Sequence, residues 1–195
     1  LDGNGYSISG IYVNGDEKIG FFSTTEGNTV IKNLTIKDSY FEGNSSVAGF
    51  VGFVNVGTPD APVSITLENC VNYASVTVNK KDGNSGGLIG EIIATAKKGT
   101  LIIANVSKCV NYGAVTSTKG NGYIAGIVGR LCGAGTVSEC ANFGTITGSS
   151  AIVGGVIGGA LMTLGLVFLE PFLMFLATER LTGLPLRKKP FSLSK

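Results

Sequence analysis

Along the first 158 residues, short apolar stretches are broken every five or six positions by glycine or asparagine, and the breaks recur. One recurring unit reads small, Gly, apolar, β-branched, Gly. Its copies are Ala48-Gly49-Phe50-Val51-Gly52, Gly86-Gly87-Leu88-Ile89-Gly90, Ala125-Gly126-Ile127-Val128-Gly129 and Gly154-Gly155-Val156-Ile157-Gly158. The second positions lie 38, 39 and 29 residues apart, and Ile19-Gly20-Phe21-Phe22 is a weaker first copy. A second unit travels in step: Leu67-Glu68-Asn69-Cys70-Val71-Asn72-Tyr73, Val106-Ser107-Lys108-Cys109-Val110-Asn111-Tyr112 and Val137-Ser138-Glu139-Cys140-Ala141-Asn142-Phe143. In the divergent copy Ile31-Lys32-Asn33-Leu34-Thr35-Ile36, Leu34 replaces the cysteine. A period of this size is the signature of a solenoid or array, with inserts such as residues 57–61 and 94–99 falling in loops.

The units are rich in Val, Ile, Thr, Tyr and Phe, which suit a half-buried pleated surface, and their punctuation is too frequent for helices. The pattern predicts an all-β fold, a parallel β-solenoid, each coil holding three strands of about five residues plus corners. Equivalent residues then stack about 4.8 Å apart. Cys70, Cys109 and Cys140 form one inward file, and Asn72, Asn111 and Asn142 another at a corner, where stacked amides bond along the file. Leu67 and Cys70 are three apart, which breaks strict alternation and requires a bulge or corner between them. Residues 1–27 read as one or two leading strands.

The Cys-x-Asn-aromatic run followed by Gly-Gly-Leu-Ile-Gly resembles the GLUG-motif repeats of large bacterial and protist surface proteins, and the opening Leu1–Tyr12 is similar to the strand that leads into such arrays. The resemblance covers residues 1 to about 158 and implies a right-handed parallel β-helix with a surface or adhesive role. It carries over no catalytic residue.

The charge balance is nearly even over residues 1–150, with 10 Lys/Arg against 11 Asp/Glu. Such a surface has no basic face for phosphates, so no nucleic-acid partner is expected. Four cysteines without a CxxC spacing, and no histidine, give no zinc signature. The three cysteines in the repeat read as small buried hydrophobes, with a bridge between adjacent coils left open. Cys132 stands outside the repeat and is the thiol expected to be most exposed. The chain begins in mid-motif and reads as a fragment of a longer protein.

Several short matches to functional motifs have simpler explanations. Gly83-Asn84-Ser85-Gly86-Gly87 fits the nucleophile-elbow pattern, but that chemistry needs a histidine base and both final glycines belong to the repeat. Gly120 to Ala125 fits a loose dinucleotide fingerprint, yet a β-branched stretch follows where a helix is required. Leu1-Asp2-Gly3-Asn4-Gly5 looks like part of a calcium loop and reads as a β-turn. Asn33, Asn44 and Asn105 head glycosylation acceptor triplets, with Asn44 alone expected in a loop. No catalytic, cofactor or metal-binding residue is expected.

From Ala151 to Ala177 the sequence is almost wholly apolar, interrupted by Thr163, Glu170 and Pro171, and Arg187-Lys188-Lys189 follows. Residues 159–195 are expected to form a hydrophobic helix and basic tail acting as a membrane anchor, with the repeats outside. A helix capping the solenoid and a tail of non-native origin are the rivals, and helix and coil compete for Gly154 to Gly158. The functional expectation is a non-enzymatic surface protein that meets protein or glycan ligands through Asn55 to Val63, Asn79 to Ser85 and Ile93 to Gly99. A carbohydrate-active β-helix enzyme and a passive spacer are the alternatives.

Overall fold

A computed structural model describes residues 1–25, 27–54, 64–93, 103–120, 122–132, 134–148, 151–161 and 167–168. The described residues form 24 short strands and no helix, arranged as five sheets. Every strand pairing is parallel and joins equivalent segments of successive repeats, the pairing pattern of a β-solenoid.

Each full coil contributes one strand to every sheet. The third coil runs Ser64–Glu68 in sheet 1, Val71–Asn72 in sheet 2, Ser75–Val78 in sheet 3, Asn84–Gly86 in sheet 4 and Ile89–Ile93 in sheet 5. The expectation of three longer strands is therefore corrected to five strands of two to five residues. Corners cut the chain more often than the apolar runs suggest.

The first corner is the break required between Leu67 and Cys70. Asn69 adopts a left-handed φ of 51°, and its counterparts Asn33, Lys108 and Glu139 have φ of 55°, 53° and 52°. One left-handed residue reverses the side-chain alternation, so Leu67 and Cys70 both face inward and are fully buried. Asn tolerates this conformation, whereas other L-residues lose about 1–2 kcal/mol in it. Glu139→Asn is therefore expected to stabilise the fifth coil by about 0.5–1 kcal/mol, read as a raised midpoint in urea.

The leading segment is a nearly complete coil rather than one or two strands. Ser7–Ser9 pairs with Thr35–Lys37, Tyr12–Asn14 with Tyr40–Gly43, and Phe22–Thr25 with Val51–Val54, while Ile19 bridges to Val47. The turn expected near Asp2 is present: Tyr6 N–H donates to Gly3 O at 2.8 Å, and Asn4 N–H to Asp2 Oδ1 at 2.9 Å. Cys132 is half-buried and in register, paired with Ile93 below and Leu161 above, so its expected place outside the repeat is corrected.

At the far end the coil wins over the helix. Ile152–Gly154 and Ile157–Leu161 pair with Tyr123–Ala125 and Val128–Cys132, and Val167–Phe168 pairs with Gly135 and Thr136. Of the segment 159–195 expected to be helical, residues 159–161 and 167–168 are thus strand, and the remainder lies outside the described residues. No helix among the described residues is long and apolar enough to cross a membrane.

Successive coils differ most in length at one place. The connection from sheet 5 back to sheet 1 takes nine residues after Val54 and after Ile93, one after Cys132 and five after Leu161. The corner between sheets 3 and 4 varies from two to five residues and the others change less, so this seam accounts for most of the uneven spacing of the glycine units.

Candidate functional site

Two internal files hold the coils together. In the first, Asn72 Nδ2 donates to Asn111 Oδ1 and Asn111 Nδ2 to Asn142 Oδ1, both at 2.8 Å. Each amide also donates to the carbonyl two residues ahead, at Ala74, Gly113 and Gly144. The corner is thus a side-chain-closed turn repeated three times, and Asn72 and Asn111 are fully buried.

The glycine unit exists to make room for this file. A Cβ on Gly49, Gly87 or Gly126 would stand 2.3, 2.4 or 2.4 Å from the Oδ1 of Asn72, Asn111 or Asn142. The two sequence units, far apart along the chain, are the two sides of one close approach.

In the second file Cys70, Cys109 and Cys140 are stacked as expected and are free thiols. Each Sγ donates to the carbonyl two residues back, Glu68, Ser107 and Ser138, at 3.3, 3.1 and 3.1 Å. The interactions of Cys109 with Cys140 and Cys70, together with burial, hold its thiol far above the usual range. It is a packing group rather than a nucleophile.

A constellation that sequence reasoning missed sits beside sheet 4. Glu91 is 6% exposed, accepts from Arg130 Nη1 at 2.8 Å and from Ser46 Oγ at 2.6 Å. Glu91 and Arg130 are register partners in adjacent coils, 39 residues apart, and only the strand pairing reveals them. Both Glu91 oxygens are occupied, so the cluster is an internal ion pair. Arg130→Met would leave a buried carboxylate unpaired; because Arg130 is itself about a third exposed, a loss of about 2–3 kcal/mol is expected, measured by urea unfolding.

The motif residues fall into the wall. Ser85 is fully buried and its hydroxyl meets no partner among the described residues, so the nucleophile-elbow match is a packed strand residue. Tyr123–Ala125, inside the dinucleotide-like match, is a strand followed by another strand. Of the expected contact surface Asn79 to Ser85, Lys80, Lys81 and Asp82 are exposed, whereas Asn84 and Ser85 are buried in sheet 4. Asn55 to Val63 and residues 94–99 lie outside the described residues. Asn33 and Asn105 are engaged in side-chain bonds to Asp2 and Asn69 and to Thr136, and Asn44 lies in a bend where its amide donates to Asp16.

The outer face of the corner between sheets 2 and 3 carries a file of exposed aromatic residues. Tyr73, Tyr112 and Phe143 are 50%, 45% and 68% exposed and stack with centroids 4.7 and 5.2 Å apart. Tyr12 stacks on Tyr40 at 5.5 Å. Between the two groups lies a surface depression of about 560 Å³ lined by Tyr12, Asp38, Ser39, Tyr40, Tyr73 and Ser75.

The register explains why it opens there. Asn72 pairs with Ile36 and Ser75 with Tyr40, so three residues turn this corner in the second coil but two in the third. The wider corner uses left-handed residues, Asp38 at φ 47° and Gly10 at φ 76°, in place of the asparagine turn. The mismatch between wide and narrow corners leaves a step, with Tyr73 at its upper edge and the Tyr12–Tyr40 pair below. The Tyr40 hydroxyl donates to Glu42 at 2.8 Å; a bond with Thr77 works to lower its pKa, but partial burial and the Glu42 carboxylate outweigh it and leave it raised.

Among the described residues no cluster of His, Cys, Asp and Glu is placed to hold a metal ion. No family model matches the chain, and no solved structure matches it. The chain is similar to Halomucin of Haloquadratum walsbyi, 36% identical over 96 residues, which are 48% of this chain and 1% of that protein. The likeness therefore concerns one small stretch of a very long relative.

Proposed function

We propose that the chain is a non-enzymatic stretch of a long surface protein, a right-handed rod of GLUG-type coils that holds ligand-binding features away from the cell. The observation that carries this reading is the unbroken register of five coils, with the largest length variation at one seam. Packing occupies the inward positions, which are filled by Val, Ile, Leu, Phe and Cys side chains. The outward positions and the seam are free to vary for adhesion. The match of half this chain to 1% of Halomucin supports a place inside a long array. The buried Ser85 and the paired Glu91 favour a scaffold over a carbohydrate-active enzyme, which needs accessible carboxylates.

The test is surface labelling of the native host with an antibody raised against the folded chain. Equal labelling of intact and permeabilised cells is expected. Labelling only after permeabilisation would overturn the surface assignment.

A further inference from the structure

We propose that the depression between Tyr12, Asp38, Tyr40 and Tyr73 is a binding site for the hexopyranose units of a neutral glycan. The inference deepens the surface reading and rests on it only for where the glycan is met.

Three features of the site point to this ligand class. First, it is bordered by aromatic rings whose stacking partners lie elsewhere. Tyr112 stacks on Tyr73 from the coil above, while the coil below carries Lys37, one residue beyond the Asn72–Ile36 pair, in place of a ring. Tyr12 stacks on Tyr40, while the coil above has Ser75 in register with Tyr40. The aromatic series is therefore interrupted at the depression, leaving apolar surface beside open space. Tyrosine combines such a surface with a polar tip, and it holds two side-chain torsions rather than four, so ordering it on binding costs little.

Second, the rim is polar in a way that suits hydroxyl groups. Asp38 is exposed and makes no side-chain hydrogen bond among the described residues, so both carboxylate oxygens are available as acceptors. Ser39 Oγ accepts from Ile11 N–H at 3.1 Å and donates to Lys37 O at 2.7 Å, which fixes the corner that presents Asp38. A pyranose offers apolar C–H faces and vicinal hydroxyls at its edge, and a carboxylate accepts from two such hydroxyls at once.

Third, the rim disfavours other ligands of aromatic grooves. A proline-rich peptide presents mainly carbonyl acceptors, which cannot pair with a carboxylate. A nucleotide or an acidic sugar would bring a negative charge towards the exposed Asp38 carboxylate.

The experiment uses the full chain and a panel of neutral hexasaccharides built from glucose, mannose, galactose or N-acetylglucosamine. Binding is read by saturation-transfer NMR and by tyrosine fluorescence, which is unobscured because the chain has no tryptophan. Saturable binding of at least one hexasaccharide in the millimolar range or tighter is expected. Tyr73→Ala and Tyr12→Ala are expected to weaken it about tenfold or more. Both side chains are at least half exposed, so their removal spares the core. Asp38→Asn keeps a residue suited to the left-handed corner and is expected to weaken binding several-fold. Phe143→Ala, in the aromatic file but outside the depression, is expected to leave binding unchanged.

Failure of every hexasaccharide to bind, or binding that survives Tyr73→Ala, would overturn the proposal. So would exclusive binding of a decaproline probe. None of these results would bear on surface labelling, and failed labelling would leave sugar binding untouched, so the two readings fail separately.

Discussion

Asn111→Ala is expected to destabilise the protein by about 3 kcal/mol and to shorten the cooperative unit of unfolding. Asn111 is the central rung of the amide file. Its Oδ1 accepts from Asn72, and its Nδ2 donates to both Asn142 and the carbonyl of Gly113. Truncation strands the Asn72 donor, the Asn142 acceptor and a corner carbonyl in a place where Asn111 itself has no exposure. Each stranded buried group costs about 1–3 kcal/mol, but relaxation and water entry from the half-buried Asn142 side bring the total down. Asn142→Ala, at the open side of the file, is expected to cost about 1 kcal/mol. Urea denaturation of both variants measures the difference, and equal losses would show that the file does not act as a connected network.

Gly87→Ala is expected to be at least as damaging, about 3 kcal/mol or more. The added Cβ would lie 2.1 Å from the carbonyl oxygen of Gly126 and 2.4 Å from Asn111 Cγ and Oδ1. A flexible side chain could yield, but the Gly126 carbonyl belongs to the backbone of the next coil, which Gly126 N–H ties to Gly155 O in the coil beyond, and it cannot. The clash therefore forces two neighbouring coils apart along the core. Combining Gly87→Ala with Asn111→Ala removes one of the two obstacles, so the double variant is expected to lose less than the sum of the singles by about 1 kcal/mol. Strict additivity would mean that the glycine and the asparagine do not meet.

These two positions also mark what the sequence could reveal. The repeat of glycine and of asparagine was visible in the chain, as was the stacking of Cys70, Cys109 and Cys140, because identical residues at one period must occupy identical places in stacked coils. The reason for the glycine was not visible. It lies in a contact across the core between Gly87 and Asn111, which no period relates. The number of strands per coil was misjudged because the left-handed turn at Asn69 leaves no compositional mark: Lys108 and Glu139 fill the same slot. The depression was hidden for a similar reason. It arises from one extra residue at the Lys37–Ser39 corner, and single-residue differences appear only once the strand register is known. Gly154 to Gly158 suited both a membrane-like helix and a coil, and edge pairing with Tyr123–Ala125 and Val128–Cys132 decided between them.

The seam between sheets 5 and 1 has a consequence for how such a protein can change. Peptides grafted after Val54, Ile93 and Cys132 would begin from neighbouring coils, about 5 Å apart, and would all emerge along a single line. A weak recognition element copied into each graft would thus sit at high effective concentration beside its siblings, and avidity would grow with every duplicated coil while the core residues stayed the same.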